Sequence, residues 1–488
     1  MRNAIIIGAG IAGLASALRL RNKGFEVDVF EANSYAGGKI HAQNLDGFRF
    51  DMGPSLFTMP HLVDELFRLF GKNPRDFFNY RQKETICNYF WSDGTRFSAS
   101  ADKQQFVDQA AKTFDESSEK IEKYLNRNAE KYELTADIFL KKSLHNAKTY
   151  LSVNTLKSLL KSGRLDIGKS LNQVNEIYFD HPKLVQLFNR FATYNGSSPY
   201  STPGIMSMIP HLEMELGTYF PEGGMHEISQ SLYRLAKEQG INFHFNSKVE
   251  KILLDDKKAK GVRANGVDHL ADVVVSNVDV FSTYKHLLKE ARQPKKILSQ
   301  ERSSSAIIFY WGINNEFPQF DLHNILFSDN YKEEFESIFE TKKLFDDPTV
   351  YINISSKEET RDAPKGCENW FVMINVPVNE GQYTEEVFQQ ARKYVIHKIQ
   401  NTLGVDITQH IVTENRLDPI SIESNTNSHG GSLYGTSSNS KFAAFLRHPN
   451  FSSSVKNLYF CGGSVHPGGG IPLCLLSAKI ATNEIPSA

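Results

Sequence analysis

Apolar and polar positions near the N-terminus predict a strand, a helix and a second strand in quick succession. Asn3 to Ile7 form a short apolar run that is typical of a buried strand. Leu14 to Leu20 have the apolar spacing of a helix, which would end near Gly24, a residue favoured as a C-terminal cap. Phe25 to Phe30 predict the second strand, and Glu31 closes it.

Three glycines connect the first strand to the helix, in the order Gly8-Ala9-Gly10-Ile11-Ala12-Gly13. Gly8 permits a tight turn, Gly10 lets the backbone approach a pyrophosphate, and Gly13 lets the helix pack close to the strand. The start of the helix also offers free N–H groups to a phosphate. We therefore predict a dinucleotide site that includes Gly8, Gly10, Ile11, Ala12 and Gly13.

The end of the second strand indicates which dinucleotide is bound. Glu31 lies 18 residues after Gly13, where a carboxylate can accept hydrogen bonds from ribose hydroxyls, and Ala32 follows it. An acid at this position disfavours a 2′-phosphate, so FAD or NAD is preferred over NADP.

A second glycine pair favours FAD over NAD. Gly37 and Gly38 are followed by Lys39, and then by the turn that contains Gly53-Pro54-Ser55. A plain NAD dehydrogenase has no need of this pair. The pattern resembles the extended nucleotide motif of the amine-oxidase and carotenoid-desaturase superfamily of flavoproteins. That resemblance implies that the glycine pair and Lys39 run along FAD, and that the turn approaches the isoalloxazine ring.

The C-terminal part of the chain predicts a second glycine-rich junction between a strand and a helix. Asn457 to Phe460 form a strand signal, a turn with Gly463 follows, and a helix runs from Leu473 to Asn483. Pro472 stands early, where a missing N–H costs little. The positive end of this helix would stabilise the anion of a reduced flavin, so Gly463, Ile471 and Pro472 are candidate FAD contacts. The alternative is a glycine-rich turn that only closes the domain.

The middle of the chain divides into segments of different character. An amphipathic helix over Ile228 to Gln239 and three strand signals belong with the nucleotide domain, where Val249 would contact the adenine through its backbone and Asn277 ends a buried strand. We predict a discontinuous FAD-binding domain (1–78, 218–290 and 450–488), a helix-rich region (79–217) and a substrate-domain sheet with helices (291–449). The strand signals of this last sheet are Ser303 to Ile313, Val350 to Ser355 and Trp370 to Val376.

The predicted fold class is therefore α/β: a Rossmann-like FAD-binding domain with an α+β substrate domain and a helical part that could associate with a membrane. The chain has 488 residues, enough for two or three domains, and 34 Phe and 19 Tyr that could line an apolar channel or form ordinary core.

Composition and charge narrow the function classes. The formal net charge of -1 argues against a nucleic-acid binder. The four cysteines are scattered, which is typical of a reduced cytosolic protein without a metal site. No signal peptide and no apolar run of about 18 residues is visible, so we expect a cytoplasmic protein that does not span a bilayer.

One basic stretch is compatible with attachment of the protein to a membrane surface. Seven Lys or Arg and one acid, Asp166, lie between Lys141 and Lys169, and Lys157, Lys161 and Arg164 interleave with leucines. A basic amphipathic helix can lie on an anionic membrane, here the inner membrane, but the same pattern also fits a solvated helix face.

Several sequence blocks together resemble the bacterial carotenoid (phytoene-type) desaturases over nearly the full length. Within that family the chain is most similar to the hydroxycarotenoid 3,4-desaturases. Lys39, where Arg is frequent, and Gly463-Ser464 are mild departures from the family pattern. The blocks are Gly8 to Gly38, Phe50 to Ser55, Phe191 to Tyr200, Phe220 to Met225, Asp347 to Pro377 and Phe460 to Pro472.

The resemblance implies an FAD-dependent oxidoreductase that introduces a C=C bond into a carotenoid, at the 3,4-bond of a 1-hydroxylated end. Other members imply alternatives: a phytoene- or lycopene-forming desaturase, an isomerase or a saturase. An amine oxidase and a non-catalytic FAD-dependent lipid carrier are more distant alternatives. Hydride transfer to flavin needs geometry more than a strong base, so we nominate no catalytic residue; His466 fits a turn as well as a catalytic role. Without a second dinucleotide motif, oxygen or a membrane quinone would reoxidise the flavin.

Overall fold

The computed structural model describes residues 2–146, 149, 165–440 and 446–488. In chain order the strands are β1 (Asn3–Ile7), β2 (Glu26–Phe30), β3 (Ala42–Leu45), β4 (Phe48–Asp51), β5 (Tyr80–Gln82), β6 (Thr85–Phe90), β7 (Arg96–Ser100), β8 (Tyr219–Pro221), β9 (Asn242–His244), β10 (Val249–Asp255), β11 (Lys258–Ala264), β12 (Val267–Leu270), β13 (Val273–Ser276), β14 (Ser305–Ile313), β15 (His323–Leu326), β16 (Val350–Ile354), β17 (Glu368–Val376), β18 (Ile411–Leu417) and β19 (Leu458–Phe460). The helices are α1 (Ile11–Asn22), α2 (His61–Arg68), α3 (Lys103–Phe114), α4 (Ser118–Thr135), α5 (Leu171–Tyr178), α6 (Pro182–Asn189), α7 (Ile209–Met214), α8 (His226–Glu238), α9 (Val280–Ser282), α10 (Lys295–Leu298), α11 (Tyr331–Glu336), α12 (Glu385–Leu403), α13 (Pro419–Thr426) and α14 (Ile471–Asn483).

A parallel sheet with strand order β19-β13-β1-β2-β9 forms the first layer. β1 lies between β2 and β13, with Ile6 level with Val29 on one side and Val275 on the other. Parallel strands covered on both faces are largely apolar, as residues 4–7 of β1 and 273–275 of β13 are. Helices α1, α8 and α14 contribute to the core beside this sheet. The sheet therefore draws strands from both ends of the chain and from its middle.

A mixed sheet with strand order β18-β14-β17-β16-β15-β6-β7 forms the second large layer. β14, next to the edge strand β18, is buried along its whole length and pairs antiparallel with β17 and β18. The predicted strand signals at 303–313, 350–355 and 370–376 correspond to β14, β16 and β17. The helix-rich region 79–217 also supplies β6 and β7, which join around an Asp93-Gly94 turn.

Helices α3 to α7 cover one part of the mixed sheet and share a core with β6, β7 and β15. The predicted basic helix, with Lys157, Lys161 and Arg164, lies outside the described residues. Within the described residues, no helix combines the length and apolar character needed to cross a membrane. All four cysteines are described, and each is a free thiol.

Candidate active site

A cavity of about 810 Å³ lies between the parallel sheet and the mixed sheet. This volume is in the upper part of the range for ligand pockets, roughly 300–1,000 Å³. One side, which we call the glycine-lined wall, consists of the loops at Gly8–Ala12, Gly37–Ile40, Met52–Ser55 and Gly462–Cys474. The opposite side, the mixed-sheet wall, consists of side chains from β6 and β14 to β17 and from the nearby helical segments. The same cavity therefore touches the predicted cofactor residues and the predicted substrate domain.

Nearly all the candidate cofactor residues line this cavity. They are Gly8, Gly10, Ile11, Ala12, Glu31, Ala32, Gly37, Gly38, Lys39, Gly53, Pro54, Ser55, Val249, Asn277, Gly463, Ile471 and Pro472. Gly13 is the candidate that does not line it. A Cβ on Gly13 would lie 2.0 Å from the carbonyl oxygen of Gly8, so this residue sets the close approach of α1 to β1.

Asn277 joins three separate segments of the chain at the glycine-lined wall. It follows β13, and its Oδ1 accepts a hydrogen bond from the N–H of Gly13 at 3.1 Å. Its Nδ2 donates to the carbonyl of Cys461 at 3.3 Å. A Cβ on Gly10 would lie 2.8 Å from the same Oδ1. The N-terminal loop, the central strand and the C-terminal loop are thus held together by one amide.

Glu31 is buried at the end of β2 and is already held by backbone donors. Its Oε2 accepts from the N–H of Ala9 at 2.7 Å, and its Oε1 accepts from the N–H of Asn33 at 2.9 Å. Each carboxylate oxygen can accept a second hydrogen bond. The arrangement fixes the carboxylate at the cavity and leaves acceptor capacity for a hydroxyl.

The second glycine pair packs against the first loop. The N–H of Gly37 donates to the carbonyl of Ala9 at 2.8 Å. A Cβ on Gly53 would lie 1.8 Å from the carbonyl oxygen of Lys39, so the 53–55 turn lies directly on the 37–39 segment. Beside this turn, Asp51 accepts from the N–H groups of Met225 and His226 at the start of α8, at 2.8 and 2.9 Å.

The start of α14 forms the C-terminal part of the glycine-lined wall. Gly470, Ile471 and Pro472 all line the cavity, so the positive end of the helix dipole is directed at it. A Cβ on Gly470 would meet no atom within 4 Å, and its φ of 100° is a conformation that favours glycine.

The partly buried Lys39 and the buried Arg447 add positive charge to this wall. The Lys39 Nζ donates to the carbonyls of Ser432 and Leu433, and burial lowers its pKa to about 8. Arg447 donates through Nη1 to the carbonyl of Tyr434 at 3.0 Å, and burial, with the nearby charge of Arg302, lowers its pKa to about 10. No sequence motif pointed to Arg447. A wall of open backbone N–H groups, a helix start and two cations fits an anionic dinucleotide such as FAD.

His466 is held in a structural position. Burial lowers its pKa to about 4, so the imidazole is neutral at neutral pH. Its Nε2 lies 2.8 Å from the carbonyl of Lys142, which a neutral ring can satisfy by donating. The histidine therefore ties the C-terminal loop to the segment after α4, which favours the turn role over acid–base chemistry.

The mixed-sheet wall is largely apolar, and its polar side chains include one cluster. Ile308 of β14, Ile325 of β15, and Phe371 and Met373 of β17 present hydrocarbon to the cavity. Most of the other phenylalanines pack in the cores, away from the cavity. From β18 to β6 the wall crosses five strand spacings, about 24 Å at roughly 4.8 Å each, enough for a long apolar ligand.

The polar cluster lies where β15 and β6 meet the turn at Arg190–Asn195. Arg190 forms a buried ion pair with Glu213, with Nη2 and Oε1 2.6 Å apart. Tyr194 hydrogen-bonds both of them, and His323 lies on the neighbouring strand of the wall. The sequence block at 191–200 marked Tyr194 as distinctive but gave it no role, and nothing in the sequence marked His323.

A two-layer fold with a glycine-lined dinucleotide wall that faces an apolar wall defines a flavin-dependent oxidoreductase. Residues 11–343 match the family described as flavin containing amine oxidoreductase, and the chain belongs to that family. The predicted α/β fold class, the FAD cofactor and the oxidoreductase activity are confirmed.

Two similar proteins cover almost the whole chain. It is 58% identical to the 1-hydroxycarotenoid 3,4-desaturase of Flavobacterium sp. (strain P99-3), over 100% of this chain and 99% of the relative. It is 33% identical to the 4,4'-diapolycopene oxygenase of Methylomonas sp, over 99% of this chain and 97% of the relative. The resemblance to hydroxycarotenoid 3,4-desaturases is thereby confirmed.

Solved structures share the fold at low sequence identity. An oxidoreductase from Methanosarcina mazei has a TM-score of 0.66 and 16% identity, over 99% of this chain and 100% of that chain. Putrescine oxidase bound to putrescine has a TM-score of 0.65 and 15% identity, over 100% of this chain and 99% of that chain. The likeness to an amine oxidase is one of fold alone.

Proposed function

We propose that this protein uses FAD to introduce the 3,4 double bond into a carotenoid with a 1-hydroxylated end. The observation that carries the proposal is the single cavity with a glycine-lined wall on one side and an apolar wall on the other. The 58% identity to a 1-hydroxycarotenoid 3,4-desaturase supports the choice of substrate. A phytoene- or lycopene-forming desaturase, an isomerase or a saturase are the alternatives that the experiment below separates.

Desaturation removes a hydride and a proton from two neighbouring carbons. FAD, when bound, supplies the acceptor for the hydride. The chain supplies position: the mixed-sheet wall holds the polyene and excludes water, and the glycine-lined wall holds the cofactor opposite it. Lys39, Arg447 and the start of α14 give the glycine-lined wall a positive potential, which suits the charge that develops on hydride acceptance.

The candidate cofactor residues keep their proposed roles. The loops at Gly8–Gly13, Gly37–Lys39 and Gly53–Ser55 would hold the dinucleotide, with Glu31 on a ribose hydroxyl. We also propose that 1–78, 218–290 and 450–488 act together as the FAD-binding domain, because strands from all three segments pair in the parallel sheet.

A carotenoid substrate resides in a membrane, so we propose that the protein meets it at the cytoplasmic membrane surface. Oxygen or a membrane quinone would then reoxidise the flavin. Replacing Lys157, Lys161 and Arg164 together with Glu should reduce sedimentation with anionic liposomes. Unchanged sedimentation would contradict a role of this basic stretch in binding.

The central experiment expresses the chain in a bacterium that makes a 1-hydroxylated carotenoid. A desaturase gives a product that has lost two hydrogen atoms and absorbs at longer wavelength. A product that absorbs at shorter wavelength would indicate a saturase, and one of equal mass with a new retention time an isomerase. Conversion of only the carotenoid without a 1-hydroxyl would contradict the assigned substrate, and a gain of oxygen would indicate an oxygenase.

A further inference from the structure

The polar cluster interrupts a largely apolar wall and contains none of the candidate cofactor residues. Arg190, Tyr194, Glu213 and His323 all line the cavity. Arg190 and Tyr194 lie on one helical turn, and the fold brings Glu213 and His323 to them. A buried polar group that faces hydrocarbon without a hydrogen-bond partner costs free energy.

The cluster carries no net charge. The Arg190 guanidinium donates to the Glu213 carboxylate at 2.6 Å, to the Tyr194 hydroxyl at 3.0 Å and, through Nε, to the Tyr89 hydroxyl at 2.8 Å. The nearby acid holds the pKa of Arg190 well above its ordinary value. Because the cation is already paired, the cluster suits a neutral polar group such as a hydroxyl better than a carboxylate.

His323 adds a donor that lacks an acceptor. The Asn353 amide nitrogen donates to the Leu322 carbonyl at 3.0 Å, which fixes its orientation, and it also lies 3.2 Å from the His323 Nδ1. Nδ1 is therefore an acceptor. Burial lowers the pKa of His323 to about 3, so the ring is neutral and its proton is on Nε2. Within the described residues, Nε2 has no hydrogen-bond partner, although the side chain is buried.

The position of this cluster matches the chemistry of a 1-hydroxylated end. The Tyr351 hydroxyl lies 2.8 Å from the His323 Nδ1 and 2.7 Å from the Ser55 Oγ, in the turn of the glycine-lined wall. The cluster is thus two hydrogen bonds away from that turn. In a 1-hydroxylated carotenoid only C2 separates the hydroxyl-bearing carbon from the 3,4-bond. A hydroxyl held here would leave the 3,4-bond close to the glycine-lined wall.

We propose that Arg190, Tyr194 and His323 form a hydroxyl subsite that binds the 1-hydroxyl of the substrate and so determines which bond reacts. This inference rests on the proposed function. Glu213 acts as a positioning residue, because it holds Arg190 and Tyr194 in place. A site built to bond a hydroxyl discriminates strongly against the analogue that lacks it.

A pair of matched variants tests the subsite. Tyr194 and Tyr89 both accept a hydrogen bond from Arg190, but Tyr89 is fully buried behind the wall and does not line the cavity. Tyr194→Phe and Tyr89→Phe each remove one hydroxyl. We expect Tyr194→Phe to weaken binding of the hydroxylated carotenoid about tenfold and Tyr89→Phe to change it less than about twofold.

His323→Leu is the second test. It removes the unpaired Nε2 donor and also the Nδ1 acceptor that contacts Tyr351 and Asn353, so we expect a lower Tm. We expect an approximately tenfold weaker affinity for the hydroxylated carotenoid, and partial rescue of this affinity by His323→Gln, which restores a donor. His211→Leu is the matched control, since the His211 Nδ1 also lacks a partner among the described residues but His211 does not line the cavity.

Affinity and product formation are measured separately on the FAD-loaded protein. Affinity comes from the absorbance change of two carotenoids that differ only in the 1-hydroxyl, and product from mass. Tighter binding of the hydroxylated carotenoid that depends on Tyr194 and His323 supports the subsite even if no double bond forms, an outcome that overturns the proposed function alone. Equal loss of affinity in Tyr194→Phe and Tyr89→Phe, or unchanged affinity in Tyr194→Phe and His323→Leu, overturns the subsite even if desaturation proceeds.

Discussion

The two walls of the cavity are made of different material. The glycine-lined wall is mostly backbone, and an added Cβ at Gly37 or Gly53 would lie within about 2 Å of a carbonyl oxygen. The mixed-sheet wall is made of side chains such as Ile308, Ile325 and Phe371, which come from β14, β15 and β17. Glycines packed this closely should therefore tolerate no added atom, whereas the second wall should respond mainly to changes of charge and hydrogen bonding.

Gly13→Ala should have the largest effect, because backbone cannot move away from the new Cβ. We expect a loss of about 4 kcal/mol or more in the free energy of unfolding, and a protein purified without flavin. Urea denaturation and the flavin absorbance of the purified protein measure both. Gly168→Ala is the control, since a Cβ there meets no atom within 4 Å. Equal stability of the two variants would contradict the difference between the walls.

Glu334→Gln should change the pH dependence of stability on the side-chain wall. Burial raises the pKa of Glu334 to about 7 from an ordinary value of 4.5; its carboxylate accepts from Thr349, and Lys398 and Asp347 lie nearby. A raised pKa means that the folded state holds its proton more tightly than the unfolded chain. The stabilisation is complete below pH 4.5 and is lost as the pH rises through 7.

Wild type should therefore lose about 3 kcal/mol between pH 5 and pH 8 relative to Glu334→Gln. Chemical denaturation at several pH values measures this difference. The exposed neighbour Glu333, changed to Gln, should follow the wild-type profile. Parallel profiles for wild type and Glu334→Gln would show that the wall does not perturb this carboxyl.

Glu31→Gln tests how far the glycine-lined wall depends on a single side chain. An amide offers one acceptor oxygen in place of two, so the N–H of Ala9 or Asn33 would lose its partner. We expect about 2 kcal/mol of destabilisation and weaker retention of FAD, measured by unfolding with and without excess FAD. Glu26→Gln, at the exposed start of the same strand, should be neutral. An equally small effect at both positions would contradict the role of Glu31.

Lys39→Met should have the smallest effect of the four substitutions in this series. It removes one positive charge from the wall, and we expect the Kd for FAD to rise about tenfold at pH 7. Because the lowered pKa of Lys39 is about 8, wild-type affinity should fall as the pH rises above 8, whereas that of the variant should not. Isothermal titration between pH 7 and pH 9.5 checks this. Lys479→Met, which removes an ion pair with Glu65, is the control.

The difference between a wall of backbone and a wall of side chains explains which site residues could be predicted from the sequence. A wall of backbone requires glycines at fixed spacing, so Gly8 to Gly13, Gly37-Gly38 and Gly463 to Pro472 marked most of the residues that line it. Arg447 could not be predicted, because a single arginine in a loop belongs to no periodic pattern or motif. The discontinuous parallel sheet followed from apolar runs at both ends and in the middle of the chain.

The side-chain wall could not be predicted in this way. His323, Tyr351 and Arg190 are brought together by the order of strands in the mixed sheet and the turn above it, which local pattern does not encode. β6 and β7 were missed within a helix-rich segment, although the Asp93-Gly94 turn between them is a common hairpin signal. Long-range pairing of β6 with β15 decided their place.

The proposed function depends on one cavity that brings a hydroxylated polyene against the flavin. The most direct measurement is an anaerobic single turnover of the FAD-loaded protein with a 1-hydroxylated carotenoid, followed at the flavin and polyene absorbances together. We predict that flavin absorbance is lost at the same rate as the polyene spectrum moves to longer wavelength, with one flavin reduced for each double bond formed. A polyene that changes while the flavin stays oxidised, or a flavin that stays oxidised beside an unchanged polyene, would contradict it.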